Sequence, residues 1–427
     1  MPTITNINSI QVLDSRGTPT LRTFITLDNE YTGISTVPSG ASTGKYEAVE
    51  LRDNNHQDFF GKSINSCIEN IQNIISPNIV GSNFNTIEQF DEILLTLDNS
   101  ENKSNLGANT LLSLSMSFTK ALALANNLET FEIFDKDYKS YQIPVPLMNI
   151  LNGGKHAILS SDFQEYMIIP LGFENYSDAI NCCVKIYWTI KSYLESNGHS
   201  TSVGDEGGFV SPYKNNEEPL KLIMECIEKA GYKPGVEVFL GLDVAASELI
   251  DNKKYKIMQN NKNNFMTPDE LLDFYVHLVK NYPIKSIEDP FDQDDWENWT
   301  KLNKEIGSKV QIVGDDLLVT SINKIKTSIS EDSVNTVLIK PNQVGTISET
   351  LNAIKFAHKN NLNTIISHRS GDTEDSFIAD LAIGTQATQL KSGAPARSER
   401  TAKYNRISEI ISQNKKIQYL GFQAMKI

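Results

Sequence analysis

The chain has 427 residues, 39% of them hydrophobic, and is long enough for two domains that each bury a sizeable core. Its formal net charge of −14 argues against nucleic acid or an anionic membrane surface as the main partner. Residues 1–10 lack the basic start and apolar run of a signal peptide, and no run of about 20 apolar residues could span a membrane. We therefore expect a soluble, cytoplasmic protein.

The chain opens with alternating apolar and polar residues, the pattern of β-strands. This pattern predicts an antiparallel meander of three strands, at residues 4–13, 20–27 and 31–37. Helical apolar spacing then predicts three helices, at residues 63–75, 86–97 and 109–126. The last is rich in Leu, Ala and Ser, as expected for a buried helix.

The helical pattern breaks at residues 135–143, where we expect a domain boundary. The interpretation is a small α+β N-terminal domain at residues 1–137 and a catalytic domain at residues 138–427. In the second domain, short apolar runs rich in β-branched residues repeatedly end on ionisable side chains. These are Asp243, Glu288 with Asp289, Asp315, Lys340, His368 and Lys391. The asparagine-rich residues 260–264 are interpreted as a surface-loop tip.

Stretches with helical spacing separate these apolar runs, so strand and helix alternate along the second domain. Repeated βα units imply a parallel sheet, and their spacing is typical of a (β/α)8 barrel of the TIM type. In such barrels the active site lies at the carboxyl ends of the strands. Three carboxylates, two lysines and a histidine would then converge on one rim.

The residue types on this rim favour a metal site next to an anionic substrate. Asp243, Glu288 and Asp315 supply the hard oxygen ligands that Mg²⁺ prefers. Lys340, Lys391 and His368 lie beside them and suit an anion. Any one of these residues taken alone could instead be the solvated start of a loop or a helix cap. Six such residues at equivalent strand ends are harder to explain in that way.

Three glycine-containing motifs lie outside this pattern. The small residues 37–45 include Ser39, in a loop that could close over a phosphate, although an ordinary turn is the alternative. NGGKHAILSSDFQE contains His156, Gln164 and Glu165, and TSVGDEGGF contains Glu206. A carboxylate pair drawn from two such loops suits general acid catalysis at a leaving hydroxyl.

Successive motifs along the whole chain resemble those of the enolase family. They are VPSGASTG, NGGKHA, FQEYMIIP, VGDEGGF, GLDVAASE, SIEDPF, KPNQVGT, SHRSGDTEDSFIAD and LKSGAPARSER. The resemblance implies a small α+β N-terminal domain and a barrel in the variant order ββαα(βα)6. It also implies reversible dehydration of 2-phospho-D-glycerate to phosphoenolpyruvate, with two Mg²⁺ ions per active site.

The resemblance also implies a role for each site residue. Asp243, Glu288 and Asp315 would hold the first Mg²⁺ against the substrate carboxylate, and Ser39 would join the second as its loop closes. Lys340 would be the general base, with its pKa lowered by Lys391 and the bound cations. Glu206, assisted by Glu165, would protonate the departing C3 hydroxyl.

The remaining residues would bind the substrate. Lys391 and His368 fit its anionic groups, and Arg369 with Ser370 fits the phosphate, since a guanidinium fork matches phosphate geometry. His156 would arrive on a mobile loop, and Gln164 would lie close to the metal-bound carboxylate.

Several positions depart from the family pattern without removing a reacting group. They are Thr18, Pro341, Asp372 and Ser392. A paralogue acting on a related phosphonate or phospho-acid therefore stays an alternative. A Schiff-base aldolase using Lys340 or Lys391 would leave the three carboxylates without a role. A binding role, as a surface receptor for host proteins or a scaffold for RNA processing, could coexist with catalysis.

Two departures concern assembly. Family dimers pair a Glu on an N-domain strand with an Arg on the last barrel helix of the partner, whereas this chain has Arg22 and Glu409 at these positions. A second family ion pair is replaced by Ile10 and Lys185. Because both signs of the first pair are reversed together, we expect a homodimer, alone or within a larger oligomer, held by the same surfaces. The alternative is that both are solvated surface charges.

Overall fold

The computed structural model describes residues 1–40, 44–135, 141–157, 160–259, 262–414 and 417–425. The chain opens with a three-stranded antiparallel sheet in the order β1-β2-β3. Its strands are β1 (Ile4–Leu13), β2 (Pro19–Leu27) and β3 (Tyr31–Thr36). The predicted meander is confirmed to within one residue at each end, because alternating burial of side chains on a two-sided sheet imposes a period of two.

Four α-helices follow this sheet, and the last of them packs against β2 and β3. They are α1 (Asn65–Asn70), which continues through a π turn (Ile71–Ile75) into α2 (Ser76–Ile79), then α3 (Ile87–Asp98) and α4 (Ala108–Ala125). Thr86 begins α3 by accepting a hydrogen bond from the Gln89 N–H, and Asn99 ends it in a left-handed conformation. All three predicted helices are confirmed. Nearly every side chain of α4 is buried, as its composition indicated.

Eight strands of the second domain close into a barrel. They are β5 (Val145–Asn152), β6 (Glu165–Ile169), β8 (Phe239–Asp243), β12 (Ile284–Glu288), β13 (Gln311–Gly314), β14 (Thr336–Ile339), β15 (Asn363–Ser367) and β16 (Gln389–Lys391). Strand β16 pairs with β5 and closes the sheet. Strand β6 is antiparallel to both of its neighbours, and the other barrel pairs are parallel. The barrel predicted from the repeats and its variant strand order are confirmed.

Helices on the outside connect these strands. They are α5 (Tyr176–Ser196), α6 (Glu218–Lys229), α7 (Pro268–Asn281), α8 (Trp296–Ile306), α9 (Ile322–Glu331), α10 (Ile347–Lys359), α11 (Phe377–Gly384) and α12 (Ser398–Gln413). The first two follow one another between β6 and β8, which produces the order ββαα(βα)6. No helix among the described residues is long and apolar enough to cross a membrane.

Short strands complete the sheet structure. They are β4 (Gln142–Ile143), β7 (Phe209–Val210), β9 (Ile250–Asp251), β10 (Lys254–Gln259), β11 (Lys262–Met266) and β17 (Gln418–Tyr419). Residues 262–264 lie in β11 and pair with β10, so the loop-tip interpretation of residues 260–264 was wrong for these three. A hairpin strand tolerates asparagine here because most of β11 is exposed. Asn260 and Asn261 lie outside the described residues, as does the expected domain boundary at residues 137–138.

The barrel places the predicted ionisable residues on one rim. Strands β8, β12 and β16 end at Asp243, Glu288 and Lys391. Strands β13, β14 and β15 are followed directly by Asp315, Lys340 and His368. The lower barrel interior is filled by aliphatic side chains such as Val145, Met167 and Leu338. Because a packed interior leaves no channel, a substrate would be bound at the rim.

Candidate active site

Lys391 is the centre of the rim. Its Nζ lies 2.9 Å from Asp243 Oδ2, 2.8 Å from Glu288 Oε2 and 3.2 Å from Glu165 Oε1. These groups are almost fully buried. Burial alone would lower the pKa of Lys391, but the surrounding carboxylates outweigh burial and raise it well above its usual value. The carboxylates therefore favour the charged form of Lys391 at this rim.

Lys340 forms a further ion pair at the rim, with Asp315 Oδ2. Asp315 also accepts a hydrogen bond of 2.8 Å from Gln343 Nε2. The expected lowering of the Lys340 pKa included the charge of bound cations. The protein groups alone raise the pKa of Lys340. Burial lowers this pKa, but the charges of Asp315 and Glu288 outweigh burial. The Lys340 charge in turn holds the pKa of Asp315 below its usual range, although burial, the largest effect, opposes this.

The carboxylates of the rim fit a divalent cation. Glu288 Oε1 is buried and makes no hydrogen bond to any residue that the structure describes. Burial, and then the charge of Asp243, raise the pKa of Glu288 well above its usual value. An unpaired carboxylate oxygen beside further carboxylates needs positive charge, and hard oxygens are the donors that Mg²⁺ prefers. Asp243, Glu288 and Asp315 could together hold such an ion.

A neighbouring group of carboxylates has a structural role. Oxygens of Asp289, Asp315 and Asp316 lie within 4.8 Å of one another. The oxygens of Asp289, however, already accept the backbone N–H groups of Asp315 at 3.0 Å and Asp316 at 2.9 Å. Asp289 therefore orients the turn that presents Asp315. The sequence could not distinguish this structural role of Asp289 from metal binding.

Glu165 and Glu206 lie on the same side of the rim as His368. Strand β6 is antiparallel, so its first residue, Glu165, is level with Asp243 at the end of β8. Glu206 Oε2 accepts a hydrogen bond of 3.1 Å from Asn149 Nδ2 and lies 3.5 Å from His368 Nε2. Burial, and then the charge of Glu206, raise the pKa of Glu165 well above its usual value. A raised pKa favours the protonated form of Glu165, as general acid catalysis requires.

The residues assigned to the phosphate form a second group. Arg369 donates to Glu47 over 2.9 Å and 3.3 Å and to Asn342 over 3.0 Å. Ser370 is buried next to it. The Ser39 hydroxyl donates to Asp14 Oδ2 at 2.5 Å, and the Ser39 N–H donates to the Gly371 carbonyl at 2.7 Å. The structure thus places Ser39 against the loop that carries Arg369 and Ser370.

One cavity of about 30 Å³ is lined by most of the predicted site residues. They are Gln164, Glu165, Glu206, Asp243, Lys340, His368, Arg369, Ser370 and Lys391. Gln164 Nε2 lies 3.4 Å from Asp243 Oδ2. The backbone of His156 lies in a short 3-10 turn, Gly154–His156, and its side chain is outside the described part of the chain.

Sequence reasoning missed several residues that hold this site in place. They are Asn149, Glu47, Asn342, Gln343 and Arg400. Asn342 and Gln343 belong to the motif KPNQVGT, and Arg400 belongs to LKSGAPARSER, so these motifs carried a signal for all three. Glu47 carries no comparable signal, because its partner Arg369 is 322 residues away.

Comparisons with known proteins agree with this arrangement. The family model described as "Enolase, N-terminal domain" matches residues 4–134, and "Enolase, C-terminal TIM barrel domain" matches residues 140–427. Enolases of Helicobacter pylori strains J99 and 26695 are each 46% identical to this chain, over 426 and 427 residues. The enolase of strain G27 is 45% identical over 426 residues. Each alignment covers 100% of both sequences. The chain therefore belongs to the enolase family of hydro-lyases.

Proposed function

We propose that this protein reversibly dehydrates 2-phospho-D-glycerate to phosphoenolpyruvate, with Mg²⁺, as a step of glycolysis and gluconeogenesis. The observation that most supports the proposal is the single buried cavity lined by Lys340, Lys391 and the pair Glu165 and Glu206. A base candidate, a fixed positive charge and an acid candidate are what removal of a proton and a hydroxyl from adjacent carbons requires.

The chain's own residues would move the protons. Lys340 Nζ takes the proton from C2, and Glu206, assisted by Glu165, donates a proton to the C3 hydroxyl. The hydroxyl leaves as water while the C2–C3 double bond forms. Before a cation binds, the surrounding carboxylates raise the pKa of Lys391 well above the usual value, and we assign Lys391 the role of a positive charge. It therefore stabilises negative charge on the substrate carboxylate rather than transferring a proton.

The substrate's anionic groups would be bound by the remaining residues. Lys391 and His368 would interact with the substrate's anionic groups, with Gln164 close to the metal-bound carboxylate, and Arg369 with Ser370 would bind the phosphate. Arg369 is already paired with Glu47, so its guanidinium is oriented before a ligand arrives. His156 is assigned to the closing loop on resemblance.

The metal sites are assigned to carboxylates of the rim and to a serine after β3. Asp243, Glu288 and Asp315 would hold one Mg²⁺, and Ser39 would contribute to a second. When bound, Mg²⁺ would supply the positive charge that stabilises the enolate form of the substrate and would neutralise the carboxylates around the two lysines.

The positions that depart from the family pattern bear on the choice between the ordinary substrate and a related phosphonate or phospho-acid. The side chains of Thr18, Pro341, Asp372 and Ser392 are not among the described residues that line the cavity. Asp372 instead accepts a hydrogen bond of 2.7 Å from the buried Lys403. None of the four therefore removes a group that lines this cavity, and the ordinary substrate stays the leading proposal.

Formation of the enol product from 2-phosphoglycerate, followed by ultraviolet absorbance with Mg²⁺ and with EDTA, tests the function. We expect product with Mg²⁺ and none after chelation. Absence of metal-dependent product would refute the proposal, and a matched assay with a phosphonate analogue of the substrate tests the alternative. Cytoplasmic location and any secondary display at the cell surface are tested by fractionation.

The same proposal includes a homodimer. The outer face of the N-terminal sheet carries Arg22 directly opposite Ile10, and Ile10 and Ile34 are 41% and 44% exposed. Glu409 lies on α12 with its side chain 63% exposed. An exposed apolar sheet face with a charge beside it suits a two-fold interface, either in a dimer or within a larger oligomer. We also place the domain division at residues 137–138, between the two family-model matches.

A further inference from the structure

Arg400 is a fully buried arginine near the start of α12 that the proposed reaction does not use. Its four terminal N–H bonds have four different acceptors. NH1 donates to His368 Nδ1 at 2.6 Å and to the Arg369 carbonyl at 2.5 Å. NH2 donates to the carbonyls of Ser370 at 2.6 Å and Asp205 at 3.2 Å. One guanidinium therefore joins the substrate-binding loop to the residue that precedes Glu206.

The surroundings of Arg400 are shaped for a guanidinium. Carboxylate oxygens of Glu399 and Asp372 lie 3.5 Å and 3.9 Å away and balance its charge. Gly393 has a φ of +72°, and a Cβ there would approach Arg400 Cδ to 2.9 Å and the Glu206 carbonyl to 2.7 Å. Only glycine allows this backbone to pass so close to the arginine stem. Burying a charged arginine costs desolvation free energy, and an arginine on the surface would not incur that cost.

The contact with His368 determines where the imidazole proton lies. An arginine has no acceptor and stays protonated in proteins, so it can only donate. His368 Nδ1 must then present its lone pair, and the single imidazole proton must be on Nε2. A second proton on Nδ1 would place two N–H donors against each other at 2.6 Å.

The opposite nitrogen of the ring faces the reacting end of the cavity. His368 is 3% exposed and its Nε2 lies 3.5 Å from Glu206 Oε2, longer than an ordinary N–H···O hydrogen bond. Nε2 makes no hydrogen bond within the described part of the chain. Burial, opposed by Glu206 and reinforced by Arg400, lowers the pKa of His368 to about 4. Asp372 is the other charged group that influences the ring.

We propose that Arg400 is a positioning residue that holds His368 as the neutral Nε2–H tautomer, so that this N–H is directed at Glu206 and the leaving end of the substrate. The inference rests on the proposed function for the identity of the substrate, but the tautomer itself does not. His368 then acts as a fixed hydrogen-bond donor and not as an acid. The proton for the leaving hydroxyl must come from the pair Glu206 and Glu165.

The test is nitrogen NMR of the full-length protein labelled with ¹⁵N-histidine. The chain has 6 histidines, and the His368→Asn variant assigns the His368 signals. In the wild type we expect Nδ1 in the unprotonated range and Nε2 in the protonated range, without titration down to about pH 5. A proton on Nδ1, or titration near the ordinary value of about 6.5, would overturn the inference.

Variants of two arginines on the same helix separate this role from general packing. In Arg400→Met a proton on Nδ1 no longer meets a donor, so we expect the pKa of His368 to rise above its wild-type value and the fixed Nε2–H signature to be lost. We also expect kcat to fall about 10²-fold, with a smaller change in KM. Arg400→Lys keeps one donor and should partly restore the Nε2–H signature. The control Arg406→Met loses contacts with Asp380 and Glu129 instead and should leave the His368 signals unchanged.

The outcomes distinguish this inference from the proposed reaction. If Arg400→Met leaves the His368 signals as in the wild type, the inference is wrong even when the enzyme is active. If the wild type forms no enol product but shows the expected tautomer, the proposed reaction is wrong and the positioning by Arg400 stands. Should Arg400→Met fail to fold, the wild-type spectrum and Arg400→Lys still decide.

Discussion

Lys340 and Lys391 are both buried lysines beside carboxylates, yet their partners give them different chemistry. Three carboxylate oxygens surround Lys391 Nζ within 3.2 Å, whereas Lys340 Nζ has one close carboxylate, Asp315. Removing a proton from Lys391 would leave the carboxyl groups of Asp243, Glu288 and Glu165 facing a neutral amine. Lys340 needs only one carboxylate to be neutralised before it can lose its proton, and it is therefore the better base.

Replacing Lys340 tests this assignment. Lys340→Ala should reduce kcat by about 10⁴-fold or more, because general-base catalysis contributes about 10²–10⁴ and here acts together with charge stabilisation. Folding and substrate binding should persist, since Asp315 keeps its hydrogen bond of 2.8 Å from Gln343. Steady-state kinetics and circular dichroism measure the two effects. A variant that keeps a tenth of the wild-type rate would show that Lys340 is not the base.

Glu206→Gln should separate the two proton transfers. The amide keeps the shape of the side chain but cannot protonate a leaving hydroxyl, so elimination should stop while Lys340 still removes the C2 proton. We expect slow exchange of that proton with deuterated water, followed by proton NMR of the substrate. Loss of exchange together with elimination would assign Glu206 to the first step or to the metal site.

The buried His368 makes stability depend on pH. Its pKa falls from 6.5 to about 4 on folding, so between these values the unfolded chain binds more protons than the folded one. The stability that His368 contributes is therefore complete above about pH 6.5 and is lost as pH falls towards 4, by about 3 kcal/mol. Urea unfolding of wild type and His368→Asn at several pH values measures this difference. Parallel curves for the two proteins would contradict it.

At the scale of elements, residues of the N-terminal sheet and helices contact the segment after β15 that carries Arg369 and Ser370. Asp375, after β15, accepts the Thr36 N–H at 2.9 Å and lies 2.8 Å from Lys120 Nζ on α4. Glu47 reaches Arg369 from the segment after β3. The loop that carries Arg369 and Ser370 is therefore held from the N-terminal domain as well as from α12. Catalysis at the rim should depend on how firmly α4 is packed.

The packing of α4 on β3 offers a test of this dependence. A Cβ at Gly33 would lie 2.0 Å from the Ser117 carbonyl oxygen and 2.4 Å from the Ala121 N, and backbone atoms cannot move as a side chain can. Gly33→Ala should destabilise the protein by about 3 kcal/mol and lower activity at moderate temperature. Urea unfolding and kinetics at two temperatures measure both effects.

A control separates packing from backbone strain in that experiment. Gly198 has a φ of +70° and open space around its Cβ position, so Gly198→Ala should cost only about 1 kcal/mol and leave kcat unchanged. Equal stability losses in the two variants would show that crowding at α4 is not the cause.

At the scale of the whole molecule, the reversed charges predict how two chains meet. Arg22 Nε donates to Thr36 Oγ1 at 2.8 Å, which holds the guanidinium on the outer face of the sheet. Glu409 has a distant partner within its own chain, Arg406 NH1 at 3.6 Å. An exposed pair across the interface would contribute about 1 kcal/mol or less.

Charge reversal tests the homodimer. Arg22→Glu or Glu409→Arg should weaken the dimer by placing like charges together, and the double reversal should restore it. Sedimentation velocity across a dilution series measures the dissociation of each protein. If the single and double variants dissociate at the same concentration as the wild type, Arg22 and Glu409 do not meet.

Local pattern in the sequence determined the strands, most helices and the rim residues. Strand ends at Asp243, Glu288 and Lys391 follow from apolar runs whose period matches a buried strand, and this information is contained in neighbouring residues. The family motifs then determined the family, which the comparisons confirm. The roles of individual site residues stay predictions, since they concern reactivity and not position.

Only the tertiary structure decided which side chains share partners. The antiparallel direction of β6 brings Glu165 level with Asp243, and barrel closure brings Lys391 within reach of Glu165, Asp243 and Glu288. Arg400 and His368 are 32 residues apart, and no local periodicity encodes their contact. Such pairings arise because closing the barrel and burying charges require each polar group to find a partner in space.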